Sequence, residues 1–239
     1  MFHDLRDKNI LVVGCSKGIG RNLADAIQSF SANLSLISRN NPNIQPANSN
    51  KVNFFELDIT KEENYALALE NLEPLDGVCF VAGVLKLTPP HLMNKKIIAQ
   101  SFDVNLKSPL SLLSFLLKKR LIKNNSSIVF TSSVGRHSQP ECSVSYAAAK
   151  MGILGAVNAL ASDLSKKQIR VNSVSFDYVL TEMSENLDKE QFTDGIVDVS
   201  PVEFTAIPYL FLLSSMSRWI TGQIIAADAG RMLSKTRYV

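Results

Sequence analysis

A three-layer α/β fold, with a doubly wound parallel sheet of about seven strands between two layers of helices, is the architecture the sequence predicts. Three observations lead to it. Short β-rich apolar runs alternate with segments of helical periodicity along the chain. Several of those runs are apolar at nearly every position, so both of their faces are expected to be covered. Three glycines crowd the turn after the first run, at a strand's carboxyl end, where ligands collect in such sheets.

The elements follow in order. NILVV (9–13) is the first strand, GCSKGIG (14–20) the turn, and IGRNLADAIQSF the first helix. LSLIS (34–38) is the second strand, followed by NNPNIQPANSN (40–50), a turn-rich exposed loop. VNFFEL (52–57), helical KEENYALALENL, and GVCFVA (77–82) come next. A long segment of helical spacing, KKIIAQSFDVNLKSPLSLLSFLLKKRL, precedes SIVFTS (127–132). The helix YAAAKMGILGAVNALASDLSK leads to IRVNSV (169–174), and QIIAAD (223–228) closes the set. Between those last two strands lies TEMSENLDKEQFTDGIVDVS (181–200), with six acids against one base, Lys189; it reads as a variable surface segment or a short helical lid.

With 239 residues, 46% of them hydrophobic and 20% charged, the chain has material for a large core, and residues 1–239 read as one domain without repeat or linker. A net charge of +3 argues against a nucleic-acid partner. The most basic cluster, Lys118-Lys119-Arg120 with Lys123, sits where the helix SLLSFLL would end. Cys15, Cys79 and Cys142 are odd in number and lack metal-type spacing, and His3, His91 and His137 stand apart, so neither a disulfide framework nor a metal site is expected. MFHDLRDKN has no targeting character and no run reaches the roughly 18 apolar residues of a membrane span, which makes the cytoplasm the expected location.

Glycine has no Cβ, so backbone amides in the turn can approach a phosphate closely, and the following helix offers unpaired N–H groups and partial positive charge. The spacing Gly14, Gly18, Gly20 is G-x-x-x-G-x-G, neither the G-x-G-x-x-G dinucleotide fingerprint nor a P-loop. Alone, it fits either a pyrophosphate cradle or a tight turn that binds nothing. A second pattern lies downstream: Tyr146 and Lys150 in SYAAAK are four residues apart on a helix and share one face.

Taken together, GCSKGIG, LDIT (57–60), VAG (81–83), DVN (103–105), Ser133, SYAAAK, IRVNSV and ITGQIIAADAG resemble the short-chain dehydrogenase/reductase family over nearly the whole chain. Ser133 stands thirteen residues before Tyr146 and Asn105 twenty-eight before Ser133, both in keeping with that family. The resemblance implies a Rossmann fold with strand order 3-2-1-4-5-6-7 and catalysis by Asn105, Ser133, Tyr146 and Lys150. It implies cofactor contacts from Gly14, Ser16, Lys17, Gly18, Ile19, Gly20, Ser38, Arg39, Asp58, Ile59, Ala82, Gly83, Val179 and Thr181, with Tyr146 and Lys150 shared between both tasks. Tyr146 is then the general acid or base, its pKa lowered from about 10 by Lys150 and an oxidised nicotinamide. Ser133 binds the substrate oxygen, Lys150 holds the ribose, and Asn105 a water that feeds protons to Lys150.

An NAD-selective site carries an acid at the end of the second strand, whereas this chain reads SRN (38–40) and has no Asp or Glu from Asn33 through Lys51. Arg39 and Lys17 suit a 2′-phosphate, so NADP(H) is favoured over NAD(H). Two motifs depart from the family: Phe80-Val81 replaces the N-N of N-N-A-G, and Phe176-Asp177 replaces P-G after the sixth strand. The substrate is expected to be a carbonyl or secondary alcohol, with a small polar or sugar-like one at least as well placed as an acyl chain. A 3-oxoacyl carrier-protein reductase is the alternative, although the acidic 182–198 segment would repel an acidic carrier. A non-catalytic dinucleotide sensor is a third reading. The apolar faces of LLSFLL and MGILGAVNAL suit the homotetramer or homodimer that the resemblance implies.

Overall fold

A computed structural model describes residues 2–46, 50–134, 140–185 and 200–230. All seven expected strands form, in one parallel sheet of order β3-β2-β1-β4-β5-β6-β7. They are β1 (Asn9–Val13), β2 (Asn33–Ser38), β3 (Val52–Glu56), β4 (Leu75–Phe80), β5 (Ile122–Ser133), β6 (Arg170–Phe176) and β7 (Ile224–Ala227). The order reverses between β1 and β4, which opens a crevice at their carboxyl ends.

β1 shows why its sequence lacks alternation. Leu11 and Val13 point into the core that α4 (Ser108–Lys118) and α5 (Val144–Leu164) cover, with Leu112, Leu116, Ile153 and Val157. Ile10 and Val12 point the other way, toward Leu23 and Ile27 of α1 (Gly18–Gln28) and Tyr209 and Leu212 of α6 (Ala206–Leu213). Each strand residue therefore meets a helix, whichever face it takes.

Three helical segments differ from the sequence reading. KEENYALALENL forms only a 3₁₀ turn (Glu62–Asn64) and the short α2 (Tyr65–Ala68); Tyr65, Leu69 and Leu72 still enter the core. The long segment from Lys95 is divided into α3 (Lys95–Phe102) and α4 by a π turn at Asp103–Lys107. α6, AIPYLFLL, escaped notice because it is apolar all round and gives no amphipathic period; its Pro208 sits in the first turn, where a proline is tolerated.

By length and composition the helix Val144–Lys167 would suffice to cross a bilayer. Here it lies on the sheet, with Ala149, Lys150, Ile153 and Val157 buried against it.

Candidate active site

The glycine turn is built by close approach. Gly14 has φ +91°, and a Cβ there would lie 2.4 Å from the Ala82 amide nitrogen. A Cβ on Gly20 would lie 2.0 Å from the Gly14 carbonyl oxygen, a separation no side chain can hold. A Cβ on Gly18, which has φ +55°, would lie 3.2 Å from the Thr181 methyl. The turn is thus pressed against the end of β4, with the Ala82 amide donating to the Val13 carbonyl at 2.9 Å. Lys17 precedes α1 in extended conformation with no side-chain cap, so the first amides of α1 face the crevice without a side-chain acceptor.

A groove runs from this turn. Ser16, Lys17, Gly18, Ile19 and Gly20 form one wall, Ser38, Arg39, Asp58 and Ile59 the far end, and Ala82, Gly83 and Thr181 the near end. Lys17 and Arg39 are exposed at its rim. Burial works against the charge of Asp58, but the Thr60 amide (3.0 Å) and hydroxyl (2.8 Å), with Arg39 and Lys61 nearby, hold its carboxyl below the usual range. A dinucleotide fits these residues: a Cβ-free cradle for the pyrophosphate, an ionised acid at the far end and two cations at the rim.

At Gly83 the groove continues into a chamber that contains Ser133, Tyr146 and Lys150 together with Thr131, Phe176, Asp177, Val179 and Thr181. Ser133 ends β5, while Tyr146 and Lys150 lie one turn apart on α5. The Ser133 hydroxyl hydrogen-bonds the Tyr146 phenol. Lys150 is 4% exposed, its ammonium donates to the Thr131 carbonyl at 3.0 Å, and its own carbonyl accepts from the Ser132 hydroxyl at 3.0 Å. Burial drops its pKa from 10.5 to about 8.

Tyr146 departs from the expected lowering. Burial pushes its pKa up to about 12, and the Ser133 hydrogen bond only partly offsets this. The ammonium of Lys150 lies 5.9 Å from the ring centroid and is turned to Thr131. In the protein alone, desolvation therefore outweighs the neighbouring cation, and the tyrosine is held as a phenol.

Asn105 sits in the π turn, 1% exposed. Its amide donates to the carbonyls of Val84 and Ser101 (both 2.9 Å) and its Oδ1 accepts from the Val84 amide (3.1 Å). The side chain is thereby committed to tying the β4 exit to α3. A Cβ on Gly83 would lie 3.0 Å from Asn105 Oδ1 and 3.4 Å from Lys150 Nζ, so the glycine is what lets these two groups converge.

The two motif departures are accommodated by packing. Phe80, 3% exposed, stacks on Phe130 with centroids 4.8 Å apart and planes 12° from parallel. Val81 packs against the core on the α1 side. Phe176 lies against Tyr209 (5.8 Å), whose hydroxyl pairs with that of Thr131 at 2.5 Å. Beyond Asp177, Val179 and Thr181 belong to a stapled turn. The Ser184 hydroxyl reaches the carbonyls of Val179 and Thr181 (both 2.8 Å) and accepts from the Thr181 amide, and the Leu180 amide reaches Ser200. Of the expected loop at 181–200, residues 186–199 lie outside the described residues, Lys189 among them.

The structure thus brings the sequence-identified site residues other than Asn105 to one groove and chamber, while Asn105 lies buried behind Gly83 and lines neither. Sequence reasoning missed Thr131, Ser132 and Ser184, whose contacts are long-range or backbone-directed; a run of hydroxyls at a strand end, TSS, was the sole signal. Among the described residues no cluster of His, Cys, Asp and Glu could hold a metal.

A family model described as enoyl-(acyl carrier protein) reductase matches residues 14–231. A 3-oxoacyl-(acyl-carrier-protein) reductase of Chlamydia muridarum is 28% identical over 243 residues, covering 95% of this chain and 98% of that protein. The 1,2-dihydroxy-1,2-dihydronaphthalene dehydrogenase of Pseudomonas putida is 29% identical over 256 residues, covering 95% and 97%. Among solved structures, a short chain dehydrogenase family protein of Francisella tularensis superposes with TM-score 0.82 at 27% identity, covering 95% and 99%. The ligand-free aldohexose dehydrogenase of Thermoplasma acidophilum, at 22% identity and TM-score 0.83, covers 100% and 98% and shares the fold.

Proposed function

The chain belongs to the short-chain dehydrogenase/reductase family, and from that premise we propose that it interconverts a carbonyl and a secondary alcohol with NADP(H) as hydride carrier. The observation that carries this reading is the convergence of Ser133, Tyr146 and Lys150 on one chamber continuous with the glycine cradle. A bound nicotinamide supplies the hydride in reduction and accepts it in oxidation. Tyr146, held as a phenol, delivers a proton to the substrate oxygen during reduction. Ser133 donates a hydrogen bond to that oxygen as negative charge develops on it, which favours a carbonyl over a carbon-carbon double bond as the reacting group. Lys150, whose ammonium donates to the Thr131 carbonyl, would hold the cofactor's ribose, and its charge would assist Tyr146. Because the Asn105 side chain is committed elsewhere, its part is to fix the π turn and the Gly83 approach; the proton-supplying water would rest on its backbone.

Lys17 and Arg39 at the rim, with no acid at the end of β2, support NADP(H) over NAD(H). The named Chlamydia relative supports a 3-oxoacyl carrier-protein reductase as the second reading. A homo-oligomer and a cytoplasmic setting accompany both.

Tyr146→Phe is expected to retain NADPH binding and lose turnover across a carbonyl panel followed by NADPH absorbance. A variant of wild-type rate would end the catalytic reading. Titration with both cofactors tests the other half, since equal or tighter binding of NADH would overturn the assignment to NADP(H).

A further inference from the structure

One side chain fastens the stretch after β2 to α1. Arg21, one turn into α1, offers its planar guanidinium to two acceptors: Nε donates to the Asp25 carboxylate at 2.8 Å, and Nη1 to the Pro42 carbonyl at 2.5 Å. Pro42 is buried, and Ile44 beyond it belongs to the same core as Leu23 and Ile27 of α1. On the strand side, the Ser38 hydroxyl donates to the Asn40 carbonyl at 2.5 Å. Arg39, exposed and lining the far end of the groove, stands between these ties. Arg21 itself forms no part of the groove wall and faces a separate depression on the outer side of α1.

We infer that Arg21 is a positioning residue for cofactor selectivity, which holds Arg39 in register with the glycine cradle by tying the loop after β2 to the cradle's own helix. The inference rests on the NADP(H) reading. In that cofactor the 2′-phosphate and the pyrophosphate are carried on one ribose, so their separation is nearly fixed and the groups that receive them must keep a matching distance. α1 begins at the cradle with Gly18 and Gly20 and carries Arg21 directly after it, so the clasp places Arg39 relative to the same helix. An exposed arginine gives up conformational freedom when it pairs with a phosphate, and a backbone already held on both sides lowers that cost. A rigid fork of donors suits the task, because it serves a helix carboxylate and a loop carbonyl at once.

Fluorescence titration with NADPH and NADH, on the wild-type protein, Arg21→Met, Arg39→Met and the double variant, reads this coupling. Arg21→Met is expected to weaken NADPH binding about fivefold and to leave NADH binding within about twofold, because NADH brings no 2′-phosphate for Arg39 to receive. Arg39→Met should weaken NADPH binding about thirtyfold, and adding Arg21→Met to it should cost no more than about a further twofold, since the clasp then has no cation to place. A full fivefold loss on top of Arg39→Met would show Arg21 acting on its own and overturn the inference. Equal losses for both cofactors, the mark of a merely structural role, would overturn it too, as would an undiminished affinity of Arg21→Met for NADPH. A wild-type protein that binds NADH as tightly as NADPH would instead refute the NADP(H) reading on which the inference stands.

Discussion

Replacing Lys150 with methionine should stabilise the protein near neutral pH while abolishing its chemistry. Lys150 is 4% exposed, and burial lowers its pKa from 10.5 to about 8. Below pH 8 both folded and unfolded chains carry the charge, and the folded chain bears a penalty of about 3 kcal/mol, at about 1.4 kcal/mol per pKa unit. Between about 8 and 10.5 the unfolded chain binds more protons than the folded one, so stability contributed by this site rises with pH and the penalty fades. Methionine carries no such penalty but gives up the 3.0 Å hydrogen bond to Thr131, worth about 1 kcal/mol. Lys150→Met should therefore be more stable than the parent by about 2 kcal/mol at pH 7, and less stable by about 1 kcal/mol at the top of that range. Urea unfolding followed by circular dichroism, at steps from pH 7 to 10, reads the difference directly. A difference that does not change with pH would refute the account, because only a titrating buried ammonium makes it slope.

Phe80→Asn, which restores the family's own residue, should destabilise this chain by about 3–5 kcal/mol in urea unfolding, since it removes the Phe130 stack and buries an amide where the core is apolar. Gly20→Ala should weaken NADPH binding by about a hundredfold or more with the sheet's circular dichroism preserved, because its Cβ would collide with the Gly14 carbonyl at 2.0 Å and push the cradle open. Tyr209→Phe leaves the buried Thr131 hydroxyl without its 2.5 Å partner and should cost about 1–3 kcal/mol in the same unfolding assay.

The strands were readable from composition because each one is covered on both faces, and continuous runs such as NILVV and SIVFTS need no register to be recognised. Tyr146, Lys150 and the glycines were readable because their spacing is local: one helical turn in one case, one βα turn in the other. What stayed hidden depends on distant partners. The π turn that seats Asn105 is fixed by hydrogen bonds to Val84, twenty-one residues away, and the tether of Lys150 by Thr131, nineteen away. α6 stayed hidden for another reason: fully apolar surfaces carry no period. The phenol state of Tyr146 in the protein alone was not legible either, because desolvation, which favours it, cannot be read from neighbours in sequence.

The chain leaves the chamber through the Val179–Ser184 turn and comes back at Ser200, where the Ser200 amide reaches the Tyr178 carbonyl and the Leu180 amide reaches Ser200 in return. Departure and return points are clasped side by side, while Ser133, Tyr146 and Lys150 are carried on β5 and α5. The clasp therefore holds residues 178–180 and Ser200 together on a part of the chain separate from β5 and α5. A loop pinned at both ends in this way can vary in sequence between its anchors while the scaffold on which they rest keeps its form.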